Sequence, residues 1–438
     1  MNSKKKDTGS TDRISNLPEA LICHILSFLP TEDSAWTSLL SRKWRYLFAY
    51  SPNLNFDASV KRFHPGTSRR VRTLILSVLT SFVDRVLVWR GDAAVNKFSL
   101  KCGQGVDQER VNHWILNVLE RGVSDLDLHV TLDGGPLPAK VFESKSLVRL
   151  RIESENIHGV DVKDVLLPKL KTLYLNRVML GEAEDWFEKL LSGCHVLEEL
   201  ALINVYSDIW KRSVSSKTIK RLTLSCADCD NIPDTVWFDT PNVVYLDYSD
   251  YVGVKYTKVN FGSLVEARID LKMNSDQRAH AVFGHLVGNA RDFLMGICNV
   301  QTLYLSAHTL EVLTFCCEST PVFKNLIHLT IQGDKTGWES LPALLKNCPN
   351  LETLVFQGLR HRYRINCEDV NGCICNFSGG IPACLSSSPV KVLKIMRFGV
   401  YDGIENQMEQ IKHFLETMPR LEKLTIYYES TIHQLMMM

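Results

Sequence analysis

An excess of one charge is the first thing missing from this chain: 50 Lys and Arg stand against 49 Asp and Glu in 438 residues, a formal charge of +1. Phosphate contacts need Lys and Arg in concentrated excess, so a nucleic-acid partner is not expected. A long apolar run is missing too. The best stretch, Val71 to Val88, is broken by Arg72, Asp84 and Arg85, which argues against a membrane span. The opening MNSKKKDTGSTDR carries no apolar run after its lysines and does not read as a secretory signal, so an intracellular location, nucleus or cytoplasm, is expected. Lys4 to Lys6 are too short a run for nuclear import and read as a solvated tail.

Signatures of catalysis and metal binding are absent as well. No G-x-S-x-G, H-E-x-x-H or P-loop occurs, so no enzymatic role is expected. Cys102, Gly103, Gln104 and Gly105 open like a dinucleotide loop, yet Gln108 stands where the third glycine belongs. The 13 cysteines are odd in number and lack a secretory context, so they read as reduced, mostly buried small hydrophobes. Cys226 and Cys229 have knuckle spacing, and His361, Cys367, Cys373 and Cys375 cluster, but the two groups lie about 140 residues apart. Structural zinc takes four ligands from paired knuckles, so neither a metal nor another cofactor is expected. Asn376 begins a glycosylation sequon that has no entry signal to make it useful.

What is present is a repeat. The pattern apolar-x-x-apolar-x-apolar starts at Leu147, Leu170, Leu197, Ile219, Val300, Leu326, Leu351 and Leu421, and more weakly at Val95, Val123, Val243, Leu264 and Val390. Successive starts lie 28, 24, 23, 27, 22, 24, 21, 36, 26, 25, 39 and 31 residues apart, mostly within the 20 to 29 residues of a leucine-rich repeat. In LKTLYL, Leu173 and Leu175 share one face of a strand while Tyr174 points the other way. Between strands, EAEDWFEKLLSGC and ESLPALLKNC read as helices, with Trp186, Leu190 and Leu191 packing behind the strand. Stacked, such units predict a curved solenoid with a parallel sheet. Asn176 and Asn204 follow two repeats closely, but no Asn holds a fixed position along the array. In this the repeats resemble the irregular leucine-rich repeats of plant F-box proteins rather than the regular extracellular kind.

Residues 12–57 differ. Pro18 suits a helix start, Leu21, Ile22, Ile25, Leu26 and Leu29 form one apolar stripe, and Pro30 ends it. Thr31 and Ser34 offer caps for a second helix with Ala35, Trp36 and Leu39, and Ser41 for a third with Trp44, Leu47 and Phe48. A unit of about 45 residues is marginal alone, because it buries too little of its surface, so a partner is expected on it. The run Leu17, Pro18, Leu21, Ile25, Leu26, Ser27, Leu29, Pro30, then Leu40, Ser41, Arg42, Trp44, Arg45 resembles the F-box motif along its whole length. The resemblance implies binding to a Skp-type adaptor, and through it a cullin-RING ubiquitin ligase, with Leu17, Pro18, Leu21, Ile25, Leu29 and Trp44 facing the adaptor.

Residues 58–92 carry a helical stripe, Val71, Leu74, Ile75, Val78, Leu79, Phe82, Val83, Val86 and Leu87, with Arg69, Arg70 and Arg72 near one end. It reads as a cap on the open end of the repeats rather than a membrane-surface helix. A second helix, Asp107 to Glu120, presents Val111, Trp114, Ile115, Val118 and Leu119. The repeats fill 93–375. Residues 376–430 read strand, helix, strand and resemble the FBD domain that ends many plant F-box proteins: Val390, Leu393 and Ile395, then Met408, Ile411, Phe414 and Leu415, then Leu421, Leu424 and Ile426. Residues 1–11 read as a disordered tail.

The expected fold is therefore α/β: a three-helix F-box, a leucine-rich-repeat solenoid with a parallel sheet, and a closing strand-helix-strand unit. The expected role is that of a non-catalytic substrate receptor, with the target protein held by outward strand residues, among them Arg151, Tyr174, Asp247, Arg268 and Tyr304. An adaptor-bound scaffold and a small-molecule co-receptor that delivers no substrate are the alternatives.

Overall fold

The computed structural model describes residues 14, 16–58, 68–103, 105–131, 135–154, 159–160, 164–180, 185–205, 212–226, 232–282, 288–317, 319–333, 340–359, 383–400 and 404–428. They fall into two compact units, residues 1–197 and 198–438.

The first unit opens with α1 (Glu19–Leu26) and α2 (Thr31–Trp36). Pro18 and Pro30 occupy their caps, and the Pro18 carbonyl accepts from the Leu21 and Ile22 N–H groups at 3.0 and 3.1 Å. The caps expected of Thr31 and Ser34 are not formed. Thr31 Oγ1 accepts from the Asn55 N–H at 2.7 Å and Ser34 Oγ donates to the Leu26 carbonyl at 3.0 Å, so both hydroxyls tie α2 to its neighbours. In place of a third α-helix the chain makes a 3-10 turn, Leu47–Tyr50, because Pro52 forces Ser51 into extended backbone and β1 (Asn53–Ala58) begins at once.

Helix α3 (Arg69–Trp89) is capped by Ser68, whose Oγ accepts from the Val71 N–H at 3.4 Å. Its C-terminal half is packed: Val83, Val86 and Leu87 are buried, and Phe82 stacks on Phe48 and meets Phe56. Val71, Leu74, Ile75 and Val78 of the expected stripe instead face solvent, while Leu76, which lies outside that stripe, is buried. After β2 (Lys97–Cys102) comes α4 (Gln108–Glu120), which buries Val111, Trp114, Ile115 and Val118 and locks to α3 through a 2.6 Å bond from Trp114 Nε1 to Asp84 Oδ1. β3 (Asp125–Val130), β4 (Arg149–Ser154), β5 (Gly159–Val160), β6 (Thr172–Asn176), β7 (Met179–Leu180) and α5 (Trp186–Gly193) complete the unit. Strands β1, β2, β3, β4 and β6 pair in parallel in that order, and β5 pairs with β7. In α5, Trp186 and Leu190 are buried as expected while Leu191 is half-buried. Gly193 is obligatory there, because a Cβ would lie 2.3 Å from the Val165 carbonyl oxygen.

The second unit runs β8 (Glu199–Val205), β9 (Ser213–Ser215), β10 (Arg221–Cys226), β11 (Thr235–Asp239), β12 (Tyr245–Tyr251), β13 (Lys255–Asn260), β14 (Glu266–Lys272), α6 (Ser275–Val282) and α7 (Ala290–Ile297). It continues β15 (Thr302–Leu305), α8 (Ala307–Phe315), β16 (His328–Gln332), α9 (Leu341–Lys346), β17 (Thr353–Gln357), α10 (Ala383–Ser386), β18 (Val392–Phe398), α11 (Ile404–Thr417) and β19 (Lys423–Tyr428). Nine strands, β8, β10, β12 and β14 to β19, form one parallel sheet. The return segments that follow β8, β10 and β12 are strands: β9, β11 and β13 form their own parallel sheet. SVS, TVWFD and KYTKVN are rich in β-branched and aromatic residues, and Val214, Val236, Phe238 and Tyr256 alternate inward. The two layers are joined by a buried ion pair. Asp250 accepts from Arg212 Nε at 3.2 Å, the Tyr248 hydroxyl at 3.3 Å and the Tyr251 N–H at 2.8 Å.

Every one of the thirteen repeat motifs is a strand that starts two residues after the first apolar position. Burial alternates along them, as in β12, where Leu246, Tyr248 and Asp250 point inward. Seven residues after the start the backbone turns left-handed in four repeats, at Arg177, Asn204, Gly358 and Arg397. The strand register slips beside Asn204 and Arg397, so the turn ends the pairing as a bulge. An asparagine ladder does exist, one residue before the start of three repeats: Asn242, Asn325 and Asn350 donate through Nδ2 to the carbonyls of Lys217, Asn299 and Lys324 at 2.7, 3.4 and 2.8 Å. Towards the end of the described residues, Ile411 and Phe414 of α11 and Met418 just after it are buried, with Phe414 stacked on Phe356, while Met408 and Leu415, expected on that face, are exposed.

Candidate functional site

Two surfaces emerge from these elements. On α1 the single apolar stripe of the sequence splits into two faces. Ile22 and Leu26 are buried, whereas Leu21, Ile25 and Leu29 remain 50, 45 and 41% exposed. A helix one face of which is fully buried and the other apolar yet wet is a surface built for a partner. Phe28, Trp36, Leu39 and Leu40 extend it and are still more exposed. Sequence reasoning missed them, although Leu21, Ile25 and Phe28 stand at i, i+4 and i+7 of one helix face. Leu17 is half-buried and Pro18 exposed beside this face. Trp44 is different: at 4% exposure its indole is packed into the chain's own core, unlike the exposed indole of Trp36.

Arg90, at the end of α3, holds the module's last turn. Its guanidinium is buried and donates to the carbonyls of Ala49 at 2.8 Å, Ala93 at 3.1 Å, Ser51 and Ala94. Burial lowers its pKa to about 10, so it stays charged at neutral pH. The edge contacts of Tyr46 and Phe48 with Trp89 add an aromatic clasp between the same segments.

The second surface is the outward face of the sheets. In the first unit, Arg151 and Tyr174 are register partners on β4 and β6, and the guanidinium lies over the ring, 4.2 Å from its centroid. Glu153 at 2.8 Å and Asp127 at 3.7 Å neutralise it. Burial works against the Arg151 charge, but Glu153, Tyr174 and Asp127 outweigh it and hold its pKa above the ordinary value. In the second unit, Asp247, Arg268 and Tyr304 are successive partners on β12, β14 and β15. Arg268 lies over Tyr304 at 4.9 Å, and Arg221 over Tyr245 at 4.0 Å, giving a ladder of alternating Arg and Tyr across four strands. The structure thus brings the five sequence-derived residues into two clusters, one per unit, and adds Arg221 and Tyr245.

The carboxylates on this face differ in kind. Among the described residues Asp247 accepts a hydrogen bond from the Tyr245 hydroxyl at 3.5 Å, and its pKa is raised, first by burial and then by Asp270 and Glu266, against the opposing pull of Arg268. Burial alone would raise Asp270 too, but His308 at 3.1 Å, Ser306 and Lys272 bring it down to about 2. Tyr304 is pushed up by burial, and its hydroxyl donates to Gln332 Oε1 at 3.1 Å.

Among the described residues no group of three or more His, Cys, Asp or Glu is placed to hold a metal ion. Cys226 is buried; Cys229, His361, Cys367, Cys373, Cys375, the Asn376 sequon, Gln104 and Lys4 to Lys6 lie outside the described residues. Burial pushes the thiols of Cys194, Cys316 and Cys348 up to about 12, which keeps them protonated and unreactive. No helix among the described residues is long and apolar enough to cross a membrane.

An apolar helical module at the N-terminus, followed by parallel strands repeating every two dozen residues, defines an F-box protein with leucine-rich repeats, and comparison with known proteins agrees. The F-box domain model matches residues 14–55, and the model described as FBD-associated F-box protein At5g56370, LRR repeats, matches 111–261. F-box/LRR-repeat protein At3g59250 of Arabidopsis thaliana is 63% identical over 97% of this chain and 92% of its own length. Putative F-box/FBD/LRR-repeat protein At3g59240 of the same plant is 54% identical over 97% and 85%. The chain belongs to the F-box/LRR-repeat family, and its role is in protein–protein interaction.

Proposed function

We propose that the chain is the non-catalytic substrate-recognition subunit of a Skp/cullin/F-box ubiquitin ligase inside the cell. Residues 12–57 act as the F-box, 58–92 as linker and cap, 93–375 as target-binding repeats, and 376–430 as an FBD unit. The observation that carries this is the exposed face of α1. Leu21, Ile25 and Leu29 are each about half buried already, so burial by a Skp-type adaptor contributes about 1 kcal/mol apiece, half the value for a fully exposed side chain. Phe28, Trp36, Leu39 and Leu40 contribute more, and Leu17 and Pro18 lie at the rim. Trp44 supports the face from beneath rather than touching the adaptor.

The Arg–Tyr ladder with Asp247, Arg268 and Tyr304, and the Arg151–Tyr174 pair, are the target contacts in this reading. Arg and Tyr are the side chains that dominate interface energetics, and stacking fixes their geometry before the target arrives. The chemistry belongs to the rest of the ligase: tethering raises the effective concentration of target lysines, and no side chain of this chain forms or breaks a bond.

Co-purification of the full chain with a Skp-type adaptor tests the reading. Replacing Leu21, Ile25 and Leu29 together by Asp is expected to abolish capture while circular dichroism stays unchanged, since all three point outward. A folded wild-type chain that captures no adaptor refutes it.

A further inference from the structure

The residues flanking the first apolar position of each repeat belong to neither surface described above. In the second unit those of the repeats starting at Val300, Leu326, Leu351, Val390 and Leu421 line one groove of about 610 Å3, within the range of about 300 to 1,000 Å3 typical of ligand sites. Ile327, Pro349 and Pro389 give it an apolar lining. Its charge is lopsided, with Lys324, Lys391 and Arg420 against Glu352 alone, in a chain whose whole net charge is +1.

The lining is rigid. Backbone bonds step from repeat to repeat across it, from the Ile327 N–H to Gln301, Glu352 to Ile327 and Lys391 to Glu352, at 2.9, 3.0 and 2.9 Å. Asn325 and Asn350, whose side chains clamp the preceding repeat, fix the turns. Lys391 is committed to Glu352 at 3.0 Å, and Glu422 lies near enough to add to the field on it. Among the described residues neither Lys324 nor Arg420 has a carboxylate within 4 Å, so two positive charges stand over the apolar lining with no ion-pair partner among those residues.

We propose that this groove docks an acidic peptide segment of a protein partner, with carboxylates at Lys324 and Arg420 and an apolar side chain against Ile327, Pro349 and Pro389. The site is separate from the sheet face and does not depend on the ligase reading. A phosphate-only ligand would leave the apolar lining unused, and a polyanion such as RNA would find two free cations where it needs many.

The test is fluorescence anisotropy of the full chain with a fluorescein-labelled peptide, Glu-Glu-Leu-Glu-Glu-Leu, and its Lys-Lys-Leu counterpart. Saturable binding is expected for the acidic peptide only, weakening as salt rises from about 50 to about 300 mM. Lys324→Glu with Arg420→Glu should weaken it at least about tenfold, with Lys324→Gln and Arg420→Gln as the milder pair should the reversal disturb folding. Arg268→Ala with Tyr304→Ala should leave it unchanged. Absence of saturable binding, binding indifferent to Lys324 and Arg420, equal binding of the basic peptide, or displacement by a single-stranded RNA as readily as by unlabelled peptide would each overturn the proposal.

Discussion

Asp270 illustrates how single side chains on the sheet face are held. Its pKa of about 2 lies below the ordinary value of 3.8, because His308, Ser306 and Lys272 favour the charged form more than burial opposes it. A carboxylate with a lowered folded pKa stabilises the fold above its unfolded pKa and loses that contribution as pH falls through the folded one. Asp270→Asn is therefore expected to cost up to about 2 kcal/mol at pH 7. The gap to wild type should close between about pH 4 and about pH 2 in thermal melts taken across that window. A gap that persists at pH 2 would contradict the assignment. Asp247, raised by burial and without an ion pair among the described residues, has the opposite sign and does not add stability as pH rises. None of this was legible in sequence: alternation placed Asp247, Arg268 and Tyr304 outward, but not the stacking that pairs Arg with Tyr across strands, because register is a property of neighbours.

At the scale of elements, Arg90 is the joint between the F-box turn and α3. Arg90→Met removes donors to four carbonyls, Ala49, Ser51, Ala93 and Ala94, and is expected to lower stability by about 3 kcal/mol. Urea unfolding followed by Trp fluorescence would measure it; a loss below about 1 kcal/mol would mean the carbonyls find other donors. The apolar spacing announced all thirteen repeat strands, since one buried face demands a period of two. Two features stayed hidden. The third F-box helix is a 3-10 turn because a proline and a strand follow immediately, and the return segments that follow β8, β10 and β12 are strands because local β-branched content outweighs the helix-per-repeat habit. The exposure of Val71, Leu74, Ile75 and Val78 on α3 was also unreadable, because a periodic stripe records capacity to pack and says nothing of what covers it.

Across the whole molecule the two exposed surfaces differ in chemistry: the N-terminal face is apolar, the sheet faces polar, aromatic and charged, and the proposed function gives each a different partner. With a net charge of +1 the chain as a whole exerts little long-range pull, so at these two surfaces contact geometry is expected to carry most of the specificity. Hydrogen exchange of the full-length chain, with and without a Skp-type adaptor, tests this most directly. The account predicts new protection confined to the segment 17–40, which carries Leu21, Ile25, Leu29 and Trp36, with exchange across β10, β12, β14 and β15 unchanged. Protection on those sheet strands, or none on α1 and α2, would contradict it.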